Sequence, residues 1–171
     1  MKYGNIYHMR GIIPMKIKNE VDVYTDGATR ANGTNNARGG WAWCIVDNNI
    51  IIQKGYGGEK PTTNNRMELT AVLEGLRAVY KLENIDDTII NLYSDSAYFI
   101  NCFTQKWYVN WLNNEWINSS KKPVANRDLW EQIIPYFEKN NINFYKVKGH
   151  AGQTYNEYVD KLACKGADEL K

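Results

Sequence analysis

The sequence predicts an α/β domain built on a five-stranded mixed sheet, an antiparallel meander plus two parallel strands, flanked by helices. Three observations carry this expectation. Val21, Val23 and Thr25 alternate with Asp22, Tyr24 and Asp26, the period of two that marks a half-buried strand. Trp41–Val46 and Ile50–Lys54 flank Asp47-Asn48-Asn49, a β-hairpin pattern, since asparagine tolerates positive φ in a tight turn. After these, short apolar runs alternate with stretches of helical spacing.

In chain order, the first strand is expected to stop at Asp26, because Gly27 opens a Gly- and Asn-rich stretch from Ala28 to Gly40. Gly55-Tyr56-Gly57-Gly58 is expected to end the third strand. A helix follows from Thr62 to about Leu82, with its core stripe on Leu69, Val72, Leu73, Leu76 and Tyr80. Thr88–Tyr93 reads as a buried strand ending at Ser94-Asp95-Ser96, and a short helix runs from Ala97 to Cys102. The stretch Phe103–Ser120 holds Trp107, Trp111 and Trp116 and is broken by Lys121-Lys122-Pro123. A helix over Ala125–Lys139, a strand over Ile142–Val147, a loop Lys148-Gly149-His150-Ala151-Gly152 and a helix from about Thr154 complete the pattern. Without repeats or low-complexity linkers, residues 20–171 read as one domain and residues 1–19 as an N-terminal extension.

Composition narrows the partners. The 171 residues are 43% hydrophobic and 23% charged, enough apolar material for one core. A net charge of +2 is too small to demand nucleic acid, so any basic surface must be local and set against an acidic cluster. Cys44, Cys102 and Cys164 are far apart with no C-x-x-C pairing, which argues against a disulfide frame or zinc site and for a reducing, cytoplasmic setting. No apolar run approaches the ~18 residues that span a bilayer, so no membrane role is expected. Gly11-Ile12-Ile13-Pro14 is too short for a signal-peptide core. No dimerisation signal is visible, and monomer is the default.

Four acids stand out by position: Asp26 and Asp95 at strand ends, Glu68 and Asp160 on the first and last long helices. Each also has a plainer reading. Asp26 suits an Asx turn, and Glu68 the N3 place of a capping box begun by Asn65. Asp95 suits a helix N-cap, and Asp160 a solvated helix face. Periodicity alone does not bring the four together.

The motifs around them do. Thr25-Asp26-Gly27, Thr62-Thr63-Asn64-Asn65-Arg66-Met67-Glu68-Leu69, Ser94-Asp95-Ser96 and the run from Lys146 through His150 to Gly152, with Asn156, Glu157 and Asp160, resemble type 1 ribonuclease H in the family's order. The resemblance runs from about Glu20 to the C-terminus and is to the bacterial enzymes of that type. It implies the ribonuclease H-like fold and an endonuclease that hydrolyses the RNA strand of RNA–DNA hybrids by a two-metal-ion mechanism, leaving 5′-phosphate and 3′-hydroxyl ends.

Carried over by motif, the metal-holding acids are Asp26, Glu68, Asp95 and Asp160, with two Mg²⁺ as cofactors and Mn²⁺ as a substitute. Elementary electrostatics agrees, since two bare carboxylates ~4 Å apart repel by about 4 kcal/mol at an effective dielectric near 20. Oxygen-only ligands suit a hard cation rather than zinc. His150 matches the family's catalytic histidine, which relays protons or helps product leave; its removal is expected to slow turnover without abolishing it.

The resemblance also implies how the hybrid is held. Gly27, Asn32, Asn64 and Asn65 would contact its minor groove, and Thr63 and Asn126 a DNA-strand phosphate. Trp107, Lys121 and Lys122 belong to the family's basic protrusion, or handle. Two departures matter: Pro61 stands where some relatives have an arginine, and Leu112-Asn113-Asn114-Glu115 makes the handle less basic. Two other classes remain open from sequence: a non-catalytic hybrid-binding module, and a DNA-directed enzyme on the same fold.

Overall fold

The computed structural model describes residues 19–147 and 154–170. Its five strands are β1 (Asn19–Arg30), β2 (Arg38–Asp47), β3 (Ile50–Glu59), β4 (Thr88–Ser94) and β5 (Ile142–Lys146). They form one sheet in the order β3-β2-β1-β4-β5. β1–β2 and β2–β3 are antiparallel, and β1–β4 and β4–β5 are parallel, as the sequence pattern predicts. Five helices accompany it: α1 (Asn64–Val79), α2 (Ala97–Thr104), α3 (Trp107–Asn113), α4 (Arg127–Phe137) and α5 (Thr154–Asp168). Among the described residues, no helix is long and apolar enough to cross a membrane.

Two expected strand ends are wrong, both at glycines. β1 does not stop at Asp26 but pairs with β2 through Gly27↔Trp41 and Ala28↔Gly40 as far as Arg30↔Arg38. β3 likewise runs through Gly55-Tyr56-Gly57-Gly58 to Glu59. There the glycines lie opposite indoles, since Trp43 pairs with Gly55 and Trp41 with Gly57. A Cβ on Gly55 would come within 2.6 Å of the Trp43 ring, so the aromatic occupies the space the glycine leaves. The β2–β3 turn is as expected, with Asn48 and Asn49 at φ 49° and 62°.

Helix ends differ by a few residues, for capping reasons. α1 begins after Thr63, whose Oγ1 accepts from the Arg66 amide at 3.3 Å, and ends at Val79 rather than Leu82. Its predicted stripe of Leu69, Val72, Leu73 and Leu76 is buried, with Tyr80 partly so. α4 begins at Arg127, behind Asn126 at φ 56°.

The sheet is covered on both faces. Val23 belongs to the larger core with α1, α2 and α4, where Trp130 and Phe99 are fully buried. Ala28, Ala42, Cys44 and Val46 meet Val159 and Ala163 of α5 on the other face, with Tyr24 packed against them. Trp130 touches Phe99, Phe103, Trp111 and Tyr98. Trp130→Ala is therefore expected to cost about 3–5 kcal/mol, read as a lowered urea midpoint.

Candidate active site

Strand alternation decides which way the first acid points. Val23, Thr25 and Gly27 face α1, while Tyr24, Asp26 and Ala28 face α5, the helix that carries Asp160. On the α1 side, a Cβ at Gly27 would come within 2.6 Å of the Met67 carbonyl carbon, so only glycine lets the first turns of α1 seat there. That seating delivers Glu68 to the strand that holds Asp26. Asp95 follows directly on β4, the parallel neighbour of β1, through the pairing Thr25↔Ser94.

The result is one cluster, and its electrostatics shows it. Asp26 is 7% exposed, and burial together with the charges of Asp95 and Asp160, and less strongly Glu68, pushes its pKa up to about 8, against an opposing hydrogen bond from the Gly27 amide at 2.8 Å. Burial also raises Glu68; the Ser96 hydroxyl opposes this, Asp95 adds to it, and the Asn64 amide opposes it. Asp160 is half-buried, with the Cys164 Sγ 3.9 Å from its Oδ1.

Both oxygens of Glu68 are engaged. Asn64 Nδ2 donates to Oε1 at 2.8 Å and Ser96 Oγ to Oε2 at 2.5 Å. The same Ser96 Oγ accepts from the Phe99 amide at 3.1 Å, so Ser96, not Asp95, is the N-cap of α2. Nor is Glu68 in a capping box: with Thr63 as N-cap, the N3 residue is Arg66. The plainer readings of Asp95 and Glu68 thus lose their caps to other residues.

Among the described residues, no group of three or more His, Cys, Asp or Glu side chains is placed to hold a metal ion as it stands. The donor set itself is oxygen-only and anionic, with one member forced toward protonation, which is what a hard divalent cation would relieve.

The other predicted contacts fall into three places. Asn32, exposed in the loop after β1, accepts through Oδ1 from the Asn64 amide at 3.3 Å, and Asn65 is exposed beside it. Thr63 and Asn126 cap α1 and α4, and Arg66 ties those two helix starts together, donating to both Asp128 oxygens at 3.0 and 2.9 Å and to Glu59 at 2.7 Å. In the handle, Lys121 and Lys122 are exposed, Trp107 is half-buried and Trp111 is core. Two cavities, of about 580 and 390 Å³, lie along the handle among its asparagines and are lined by none of the four acids. His150 lies outside the described residues.

Three residues whose contacts shape this region were not singled out from sequence: Ser96, Arg66 and Thr29, whose Oγ1 donates to Asn64 Oδ1 at 3.1 Å. The first follows an acid and precedes an apolar helix, a readable capping signal. Thr29 gave no signal, because its partner is 35 residues away and is reached only if β1 continues past Gly27.

A mixed sheet thus brings toward one place four carboxylates, Asp26 from within β1, Asp95 just past the end of β4, and Glu68 and Asp160 from α1 and α5. Comparison gives the family. A sequence model described as RNase H matches residues 18–168. Ribonuclease H of Caldanaerobacter subterraneus subsp. tengcongensis is 44% identical over 150 residues, covering 87% of this chain and 92% of its own. That of Clostridium botulinum is 42% identical over 153 residues, covering 88% and 97%. In structure, the chain resembles LC9-RNase H1, a type 1 RNase H with the type 2 active-site motif, at TM-score 0.73 and 26% identity over 94% of this chain and 76% of that one. LC11-RNase H1, solved with an RNA/DNA hybrid, shares the fold at TM-score 0.64 and 18% identity over 86% and 96%.

The chain belongs to the ribonuclease H family, as a type 1 member. It is an endonuclease acting on the RNA strand of RNA–DNA hybrids.

Proposed function

We propose that Asp26, Glu68, Asp95 and Asp160 hold two divalent cations, Mg²⁺ or in its place Mn²⁺, and that hydrolysis leaves a 5′-phosphate and a 3′-hydroxyl. The observation that carries this reading is the coupling of Asp26 to all three other acids in a desolvated site. When bound, such cations supply Lewis-acid stabilisation of the attacking and leaving oxygens of an in-line displacement at phosphorus. The four carboxylates place and orient them, and Ser96 and Asn64 hold Glu68 in a fixed rotamer meanwhile. Water gives up a proton as it adds to phosphorus, the P–O3′ bond breaks, and the 3′-oxygen takes up a proton, with His150 relaying protons or helping product leave.

The substrate is held by three surfaces. Gly27, Asn32, Asn64 and Asn65 face the minor groove, where the 2′-hydroxyl distinguishes RNA from DNA. Thr63 and Asn126, each at a helix N-terminus, suit a DNA-strand phosphate, because unpaired amides and the helix dipole favour an anion there. Trp107, Lys121 and Lys122 present the handle. With Leu112, Asn113, Asn114 and Glu115 beside them, its grip on phosphate is modest and the salt slope shallow. We further take residues 20–171 to be the catalytic domain and residues 1–19 an extension, and the enzyme to be a cytoplasmic monomer; its three cysteines are free thiols.

The test is cleavage of an end-labelled RNA–DNA hybrid, with duplex DNA and duplex RNA as controls. The expected result is cutting of the RNA strand alone, lost on chelation and restored by Mg²⁺. Tight hybrid binding without cutting would make the chain a binding module, and equal cutting of duplex DNA a DNA-directed enzyme.

A further inference from the structure

β1 continues past Gly27, and its alternation puts Thr29 on the same side as Gly27, beneath the first turn of α1. The Thr29 Oγ1 lies 3.1 Å from Asn64 Oδ1, while Asn64 Nδ2 lies 2.8 Å from Glu68 Oε1. These two bonds have one consistent direction. An ionised carboxylate only accepts, so the amide must turn its nitrogen to Glu68, which leaves its oxygen toward Thr29 and makes the hydroxyl the donor. The Asn64 backbone amide is meanwhile tied to Asn32 Oδ1. Asn64 therefore stands between the loop proposed to read the hybrid and a carboxylate proposed to hold cation, and the Thr29 hydroxyl orients its side chain from behind.

We propose that Thr29 is a positioning residue: its hydroxyl fixes the amide of Asn64 in the orientation that holds Glu68, and so sets both cation affinity and turnover without touching substrate. The inference rests on the reading of Glu68 as a cation ligand. Losing the hydroxyl leaves Asn64 Oδ1 without its donor and lets the amide rotate, which loosens the Oε1 side of Glu68 while Ser96 still holds Oε2. Outer partners of metal ligands typically matter about 10–100-fold in affinity or activity, and the remaining Ser96 bond places this one near the lower figure.

The experiment is a double-mutant cycle on the full chain with Thr29→Val, Asn64→Ala and the pair, and Thr29→Ser as the rescue. Two readouts are taken: kcat and KM on the hybrid, and Mg²⁺ affinity by calorimetry on nucleic-acid-free protein. Thr29→Val is expected to lower kcat/KM about 10-fold and to weaken Mg²⁺ binding several-fold. Its melting temperature should stay within ~2 °C of wild type, and Thr29→Ser should restore both functions to within about twofold. In the Asn64→Ala background the same change should do nothing further. An equal drop in both backgrounds, or less than a twofold effect in wild type, would overturn the proposal. Failure of the underlying reading looks different: Glu68→Gln would then keep full activity and Mg²⁺ affinity whatever Thr29 does.

Discussion

Asp26→Asn leaves a protein that no longer cuts hybrid yet, without divalent cation at pH 8, melts higher than wild type. The loss of activity is expected to exceed the ~10–100-fold typical of an outer-shell partner, because a carboxylate central to the cluster is removed. The gain in stability follows from linkage. Asp26 has a folded pKa of about 8 against an ordinary value of 3.8. Between those values the folded chain keeps a proton that the unfolded chain has released, so stability falls as pH rises through that window and levels above it. Asparagine carries no such charge, so most of the slope should vanish. Burial moves Glu68 in the same direction and should leave a weaker residual slope. The melting temperatures of variant and wild type should therefore converge near pH 4 and separate toward pH 8. Added Mg²⁺ should stabilise wild type increasingly with pH and the variant much less. Calorimetric melts across pH 4–9, with and without chelator, check all of this.

Gly40→Ala should damage fold and catalysis together. A Cβ at Gly40 would overlap the Ala163 carbonyl and the Ala167 amide, both α5 backbone, so no side-chain rotation can relieve it. Overpacking of this kind costs about 1–3 kcal/mol, and the upper part of that range is expected where backbone must move. α5 is also the helix that carries Asp160. Lifting it from β2 withdraws that acid from Asp26 and Asp95, so kcat should fall on the order of 10-fold or more in the fraction that folds. A urea melt gives the first effect and kcat on folded protein the second. Hybrid affinity should change less, since Thr63 and Asn126 sit on α1 and α4.

These glycines mark where the sequence was legible and where it was not. Alternation in Val21–Asp26, the Asn48-Asn49 turn and the α1 stripe each record a local preference, and each appears as expected. Gly27 and Gly55-Tyr56-Gly57-Gly58 read as strand ends because glycine weakens isolated strands. Their actual reason is tertiary: Gly27 admits α1, and Gly55 and Gly57 lie under Trp43 and Trp41. The same long-range logic hides Thr29, whose role depends on a strand predicted to have ended. Asp26, Glu68, Asp95 and Asp160 were nameable because their flanking motifs are specific, and their mutual coupling is a property only of the folded sheet.

The most direct measurement is an anomalous-scattering map from crystals grown with Mn²⁺. A strong peak is expected within coordinating distance of Asp26, Glu68, Asp95 and Asp160, with a second peak nearby when hybrid is bound. A map with no peak at these carboxylates, from crystals whose protein cleaves hybrid under the same conditions, would contradict it.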